Sequence, residues 1–370
     1  MKRTISIKLQ TRWPEKKKLS DLRNTYLLAC NLIVPSVLQN RCWNRVALHN
    51  LVYSSIRKET MLGSQMTCNA IFSVCKAYAN RQISKKEEIP VIRFHKNRSV
   101  HFDKRTYTIE GNILKLYTLE GRIRVPMKIG DFQQNLFSQG IPKEAELICK
   151  KGEWYFNLVL DFPDPALVEN PTFFGVDLGE NVLAATSNNS LYGGAQVRHE
   201  RGKFSDKRRK LQSNGSPSAK QLLRKISGRE ARRMKQTNHE VSKRIVKEAI
   251  SVNAGVIVLE NLKNIRKRIK AKKKVRTRLH RWAFSQLQTF IQYKAESHGL
   301  KVLYVNPAYS SQECSLCGQL GIRLGSHFTC SCGNQQHSDL NASRNLCRFA
   351  RSTEFTTCAV NRTHVAAVTC

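Results

Sequence analysis

The sequence predicts a two-part molecule: a β-barrel or sandwich interrupted by a helical insertion, followed by a mixed α/β sheet covered by helices. Three observations carry this reading. The hydrophobic period is that of a strand at 4–9, of helices from about 20 to 82, and of strands again from about 90 to 161. Three prolines then crowd into FPDPALVENP, residues 162–171, which reads as a linker. Beyond it, strands come first in direct succession and then joined through long helical stretches, the order expected of a mixed sheet with helices on its faces.

Each element follows from local pattern. TISIKL at 4–9 alternates apolar and polar residues as a half-buried strand does. In the helical region Ile71, Val74, Cys75 and Tyr78 recur on one helix face, and Pro35 and Gly63 are expected to break the run. RSVHFD, NILKLYTL, RIRVPMKI, AELICK and WYFNLVLDF then read as short strands separated by Gly111, Gly121 and Lys151-Gly152. After the linker come FFGVDL, VLAATS and LYGGAQV as strands. A helical stretch from about 203 to 250 follows, then the strand GVIVLE, a basic segment, a helix near 283–298 and the strand KVLYVNP.

Composition narrows the function. The 370 residues include 63 Lys and Arg against 27 Asp and Glu, a formal net charge of +36. Such an excess calls for a polyanion, because neutralised phosphates release their counterions. The cations are spread through the chain instead of flanking an amphipathic anchor, which speaks against a membrane-surface role. No run of about 18 apolar residues occurs and the N-terminus lacks the apolar core of a signal peptide. A soluble, cytoplasmic protein without a membrane partner, nucleoid-associated when bound to DNA, is therefore expected. In a reducing compartment, clustered cysteines bind metal more often than they form disulfides. Of the twelve cysteines, four cluster, whereas Cys30, Cys42, Cys68, Cys75 and Cys149 sit in apolar patterns and read as core.

Three carboxylates stand where chemistry is usually placed. Asp177 ends the strand FFGVD, Glu260 ends GVIVLE, and Asp339 lies in HSDLNASRNL at or near the start of a helix. Strand ends and helix starts converge at the edge of such sheets. Singly, each acid has a structural explanation, as a turn former, a strand terminus or an N-cap. Together, in a strongly basic chain, they predict hard oxygen ligands for Mg²⁺ at a phosphodiester.

The segments GVDLG, VLENLKNIRKR and HSDLNASRN, with RLHRWAFSQLQTFIQYKAESHGLKVLYVNPAYSSQECSLCG between the last two, resemble the split RuvC nuclease of the TnpB family. These are transposon-encoded RNA-guided DNA endonucleases related to compact type V CRISPR effectors. The resemblance is dense from about 172 to 346 and implies an RNase H-like (RuvC) nuclease domain with an inserted zinc ribbon. Ahead of that domain it implies a β-barrel, wedge-like module carrying the helical insertion. The expected boundaries are 1–19 and 84–165 for the barrel, 20–83 for the helical recognition module, 166–308 and 337–350 for the nuclease, and 309–336 for the ribbon. Residues 351–370 carry no readable pattern and are expected to form a disordered tail. The resemblance further implies that Asp177, Glu260 and Asp339 hold catalytic Mg²⁺, with Asn341 in support.

Cys314-Ser-Leu-Cys317-Gly can turn two thiolates toward one ion, and Cys330-Ser-Cys332-Gly supplies a second pair thirteen residues later. The family usually spaces the second pair by two residues and here there is one. All four are expected to bind Zn²⁺, the alternative being replacement of one by His327 or His337.

Two cationic tracts are expected to meet nucleic acid. One comprises Lys207, Arg208, Arg209, Arg224, Arg232 and Arg233 in the long helical stretch. The other, at 263–281, holds eleven Lys or Arg and no acid, among them Arg266, Arg268, Lys272, Lys273, Lys274, Arg276 and Arg278. Downstream, Trp282 and Phe284 offer rings that stack on bases or anchor the next helix, the second role being favoured for Phe284. The expected activity is Mg²⁺-dependent cleavage of double-stranded target DNA, directed by a guide RNA, beside a short adjacent motif. The alternatives are a compact type V CRISPR effector, a guided DNA-binding repressor that no longer cuts, and a transposase acting without RNA.

Overall fold

A computed structural model describes residues 1–81, 83, 87–168, 172–262, 284–306 and 308–365, with side chains described as far as 352. It divides into two compact units, Met1–Pro163 and Asp164–Cys370, the division falling inside the proline-rich stretch.

In the first unit, β1 (Lys2–Leu9) leads into three helices, α1 (Trp13–Asn40), α2 (Arg45–Thr60) and α3 (Ser64–Ala79). Strands β2 (Val100–Phe102), β3 (Tyr107–Glu110), β4 (Ile113–Thr118) and β5 (Gly121–Lys128) follow, then α4 (Asp131–Gln139), β6 (Ile141–Lys150) and β7 (Glu153–Asp161). All seven strands pair antiparallel in the order β2-β6-β7-β1-β5-β4-β3. Its two ends approach each other: the Tyr107 hydroxyl on β3 donates to the Lys143 carbonyl on β6 at 2.6 Å, and Phe102 of β2 and Tyr107 both meet the ring of Phe156 edge-on. The sheet is thus a nearly closed barrel, and alternate inward residues such as Leu114, Leu116, Phe156 and Leu158 fill it.

The helical insertion differs from expectation at one point. Pro35 does not break α1, which runs through it to Asn40. An interior proline costs about 3 kcal/mol, but Ile33, Val34 and Val37 around it are buried in the core, and their burial outweighs that cost. The run is divided where left-handed residues cap the helices instead, at Arg41 and Met61.

In the second unit, β8 (Phe173–Asp177), β9 (Val182–Thr186) and β10 (Leu191–Gly193) form an antiparallel meander. Helices α5 (Ala195–Asn214) and α6 (Pro217–Ser251) lead to β11 (Val256–Glu260), and α7 (Phe284–Glu296) leads to β12 (Lys301–Val305). Sheet order is β10-β9-β8-β11-β12, with β8, β11 and β12 mutually parallel. A small sheet of β13 (Ile322–Leu324), β14 (His327–Thr329) and β15 (Gln335–His337) precedes α8 (Ser338–Val365). Helices α6 and α7 bury Ile245, Val246, Leu287 and Ile291 against one face of the large sheet, while Leu346 and Ala350 of α8 meet Val256 and Val258 on the other. Phe284, at the start of α7, packs partly buried against the first of these cores.

Two expectations are corrected here. The stretch 203–250 is two helices, since Gly215 closes α5 in the left-handed region at φ 65° and Ser216 caps α6 by accepting from the Ala219 amide, with Pro217 in its first turn. LYGGAQV is strand only as far as Gly193, because α5 already begins at Ala195. The backbone of α8 continues as helix to Val365. Among the described residues, no helix is long and apolar enough to cross a membrane.

Candidate nuclease and metal centres

Adjacent parallel strands deliver two of the acids. Leu259 lies opposite Val176 in the β11–β8 register, and Asp177 and Glu260 are the residues that follow. Both therefore stand at the C-terminal edge of the sheet, where ligand sites of such sheets gather. Asp339 comes from α8, in its first turn. That helix lies so close on β8 that a Cβ on Gly175 would fall 1.9 Å from the Ser343 carbonyl, so glycine is required for the approach.

The charges of the three acids interact. Burial pushes the Asp177 carboxyl well above the usual carboxylate range, and the nearby Glu260 and Asp339 push it further, with Arg323 opposing. Glu260 is likewise raised, first by burial; the hydroxyl of Ser310 opposes the shift by donating to its Oε1 at 2.9 Å, and Asp339 adds to it. The Nη2 of Arg323, on β13, donates to Asp339 Oδ1 at 3.0 Å. Like charges gathered at partly buried positions, built of hard oxygens alone, suit Mg²⁺. They stand less tightly than the cysteines: among the described residues, only Cys314, Cys317, Cys330 and Cys332 form a group of three or more whose ligand atoms all lie within 4.8 Å of one another.

Those four cysteines make two cross-pairs. Cys314 and Cys332 have sulfurs 3.6 Å apart, and Cys317 and Cys330 are 3.5 Å apart. The single residue between Cys330 and Cys332 thus still brings both thiols to the centre, helped by the left-handed Gly318 and Gly333 behind each knuckle. Although burial works against it, the Cys314 thiol is lowered to about 6 by the backbone N–H groups of Cys317 and Leu316 and by the Asn334 amide. The backbone N–H of Cys332 likewise lowers Cys330. Four soft thiol donors, two biased toward thiolate, fit Zn²⁺. His327 and His337 stand outside the group; His337 Nδ1 instead accepts from the backbone N–H of Asp339 at 3.2 Å.

Asn341 does not face the acids as a ligand. Buried, it accepts from the Ser315 amide and from Gln336, and donates to the Glu313 carbonyl at 2.6 Å, pinning α8 to the first knuckle. Asn345 repeats this by donating to the Ser310 and Glu313 carbonyls. Ser310, Arg323 and Asn345 carry no sequence signal of their own, since each acts through a contact made only on folding.

Of the first cationic tract, Lys207, Arg224 and Arg232 are exposed. Arg208 pairs with Glu230, Arg209 with Asp206 at 3.3 Å, and Arg233 grips Glu200 through two bonds of 2.9 Å, so part of their charge is neutralised internally. Arg266, Arg268, Lys272, Lys273, Lys274, Arg276, Arg278 and Trp282 lie outside the described residues.

Residues 158–266 match a family described as a probable transposase, and residues 284–346 match the Cas12f1-like TNB domain. A TnpB-like protein of Methanocaldococcus jannaschii is 34% identical over 236 residues, covering 57% of this chain and 81% of that protein. The CRISPR-associated endodeoxyribonuclease Cas12f1 of Sulfoacidibacillus thermotolerans is 31% identical over 221 residues, 53% of this chain and 50% of its own length. In fold, the chain is similar to Cas12f1 in a Cas12f1–sgRNA–target DNA complex, with a TM-score of 0.61 at 15% identity over 91% of this chain and 83% of that one. It is also similar to the mini-RNA-guided endonuclease CRISPR-Cas phi3, with a TM-score of 0.57 at 12% identity over 95% and 92%.

Proposed function

The chain belongs to the TnpB-like family, and from that and from the convergence of three acids we propose that it is an RNA-guided DNA endonuclease with a single RuvC-type, RNase H-like site. The observation that carries the reading is geometric: Asp177 and Glu260 follow paired residues of adjacent parallel strands, and Asp339 opens the helix that packs on β8, near enough for its charge to add to the raised carboxyls of the other two. Arg323 offsets part of the charge of these carboxylates, and a bound divalent cation would offset the rest. Asp177, Glu260 and Asp339 would hold Mg²⁺. When bound, the ion supplies Lewis acidity for attack by water and stabilises the leaving oxygen.

The protein's own groups do the positioning. Ser310 fixes one oxygen of Glu260 by donating to it. Arg323 holds Asp339 in orientation and supplies positive charge where a phosphodiester would carry negative charge. Cys314, Cys317, Cys330 and Cys332 would hold Zn²⁺, fixing the small sheet that carries Arg323. The net charge of +36 suits guide RNA and target double-stranded DNA as partners, with base pairing reading sequence and the protein reading shape and a short adjacent motif.

The TnpB reading is preferred to a compact type V effector because sequence similarity extends over 81% of the TnpB-like relative at 34% identity, but over 50% of the Cas12f1 relative at 31%. A binding-only repressor is disfavoured because none of the three acids is lost. The test is Asp177→Ala in protein co-expressed with its native flanking DNA. Cutting of a matched duplex in Mg²⁺ should fall by at least about 10³-fold, while co-purified RNA is retained; cutting that survives removes Asp177 from the site.

A further inference from the structure

Helices α5 and α6 form an antiparallel hairpin, tied by the pairs Glu200–Arg233 and Arg208–Glu230. Between them lies an open cleft of about 370 Å³, lined by Glu200, Lys203, Phe204 and Lys207 of α5 and by Arg229 and Arg233 of α6. The spacings 200, 203, 204, 207 and 229, 233 place each set on one helix face. At this size the cleft is near the low end of the roughly 300–1,000 Å³ of ligand clefts. A duplex is too wide for it; one nucleotide is not.

Its chemistry is uneven in an informative way. The wall is largely hydrocarbon, with the half-buried Phe204 ring available for stacking. Lys203, Lys207 and Arg229 are exposed, and among the described residues no carboxylate pairs with them. Arg233 is different, because Glu200 engages it through both Nε and Nη2 at 2.9 Å. The carboxylate is thereby held rigid and ionised, its carboxyl below the usual range through the Arg233 hydrogen bonds. It keeps acceptor capacity on each oxygen, the only further hydrogen bond among the described residues being a long one of 3.4 Å from Gln196 to Oε1. A carboxylate repels phosphate, so its place among unpaired cations points to a base edge rich in donors. Guanine presents two adjacent donors, N1–H and N2–H; uracil presents one, between two carbonyls.

We infer that this cleft seats one unpaired guanine nucleotide of the bound RNA, its base stacked on Phe204, its N1–H and N2–H donating to Glu200, and its flanking phosphates on Lys203, Lys207 and Arg229. The inference rests on the RNA-binding part of the reading above and adds to it a base-reading site outside guide–target pairing.

The test uses the full chain stripped of nucleic acid and four labelled probes: an oligoadenosine RNA with one central guanosine, the same strand with a central uridine, the deoxy version of the first, and a blunt RNA duplex. Affinities are read by anisotropy at one salt concentration. The guanosine strand should bind about tenfold tighter than the uridine strand, and Glu200→Gln should erase that difference. Phe204→Ala should weaken the guanosine strand about tenfold and leave the duplex unchanged, with Phe204→Trp restoring it. Equal affinity of the wild-type protein for guanosine and uridine strands overturns the inference without any variant having to fold. Equal or tighter binding of the deoxy strand overturns its assignment to RNA. If no probe binds, the RNA-guided reading itself fails; if the duplex binds and matched DNA is cut without base preference, only the cleft is lost.

Discussion

Asp177 was readable only in company: alone at the end of an apolar strand it could be a turn former, and Glu260, Asp339 and the resemblance of the segments around them gave it a second reading. Its environment makes a prediction about pH. A carboxyl raised by burial and by two neighbouring acids binds its proton more tightly in the folded state than in the unfolded one, so stability falls as pH rises from the ordinary carboxylate range through the raised value. Asp177→Asn should therefore raise the melting midpoint of protein in EDTA at pH 8 by roughly 2–4 °C, the shift that about 1 kcal/mol makes in a unit of this size, and should change little near pH 4. Mg²⁺ should stabilise the wild type more at pH 8 than at pH 5, and the variant less at either. A scan showing no difference between Asp177 and Asn at pH 8 would mean the acids do not strain one another. Arg323 and Ser310, by contrast, were illegible in the sequence. An arginine in a short hairpin and a serine in a turn are ordinary surface residues until folding sets them against Asp339 and Glu260.

At the level of elements, the knuckles were legible because C-x-x-C and C-x-C have few other uses in a reducing compartment. Wild-type protein should carry one zinc per chain, and Cys317→Ser or Cys332→Ser should each lower metal content measured by atomic absorption to a small fraction. Retention of full zinc by the Cys332 variant would mean that three thiols suffice. The contact of α8 with β8 yields a second prediction. Gly175→Ala sets a methyl against the Ser343 carbonyl and should cost about 3 kcal/mol, read as a lower urea midpoint with unchanged slope. Sequence pattern failed where two rules competed. Asn-Gly-Ser-Pro at 214–217 holds a complete stop and start signal, but the cationic surface of α5 and α6 has so little apolar period that one long helix read equally well. Pro35 failed the other way, a local breaker overruled by burial on both sides of it.

Across the whole molecule, charge is the dominant property. If the chain neutralises some six to ten phosphates, affinity for a nonspecific duplex should drop by about 10³–10⁵ between 50 and 200 mM salt, a linear decline on logarithmic axes. A flat salt profile would leave the +36 without a polyanion to explain it. The fold class was readable at this scale because strand–helix order survives without any tertiary information, and the resemblance in 172–346 added the candidate site. What order alone could not supply was the barrel's closure, which depends on Tyr107 reaching across to Lys143.

The small sheet joins the large one at two feet that are also the two sides of the acidic site. Ser310 at its entrance holds Glu260, and at its exit β15 runs without a linker into the helix bearing Asp339. With Zn²⁺ in the sulfur centre and Mg²⁺ in the oxygen centre, as proposed, tightening this loop would act on both feet, and the two occupancies would be thermodynamically linked. By reciprocity, whatever factor zinc contributes to magnesium affinity, magnesium returns to zinc. A cell starved of the soft ion would then present a protein with a higher requirement for the hard one.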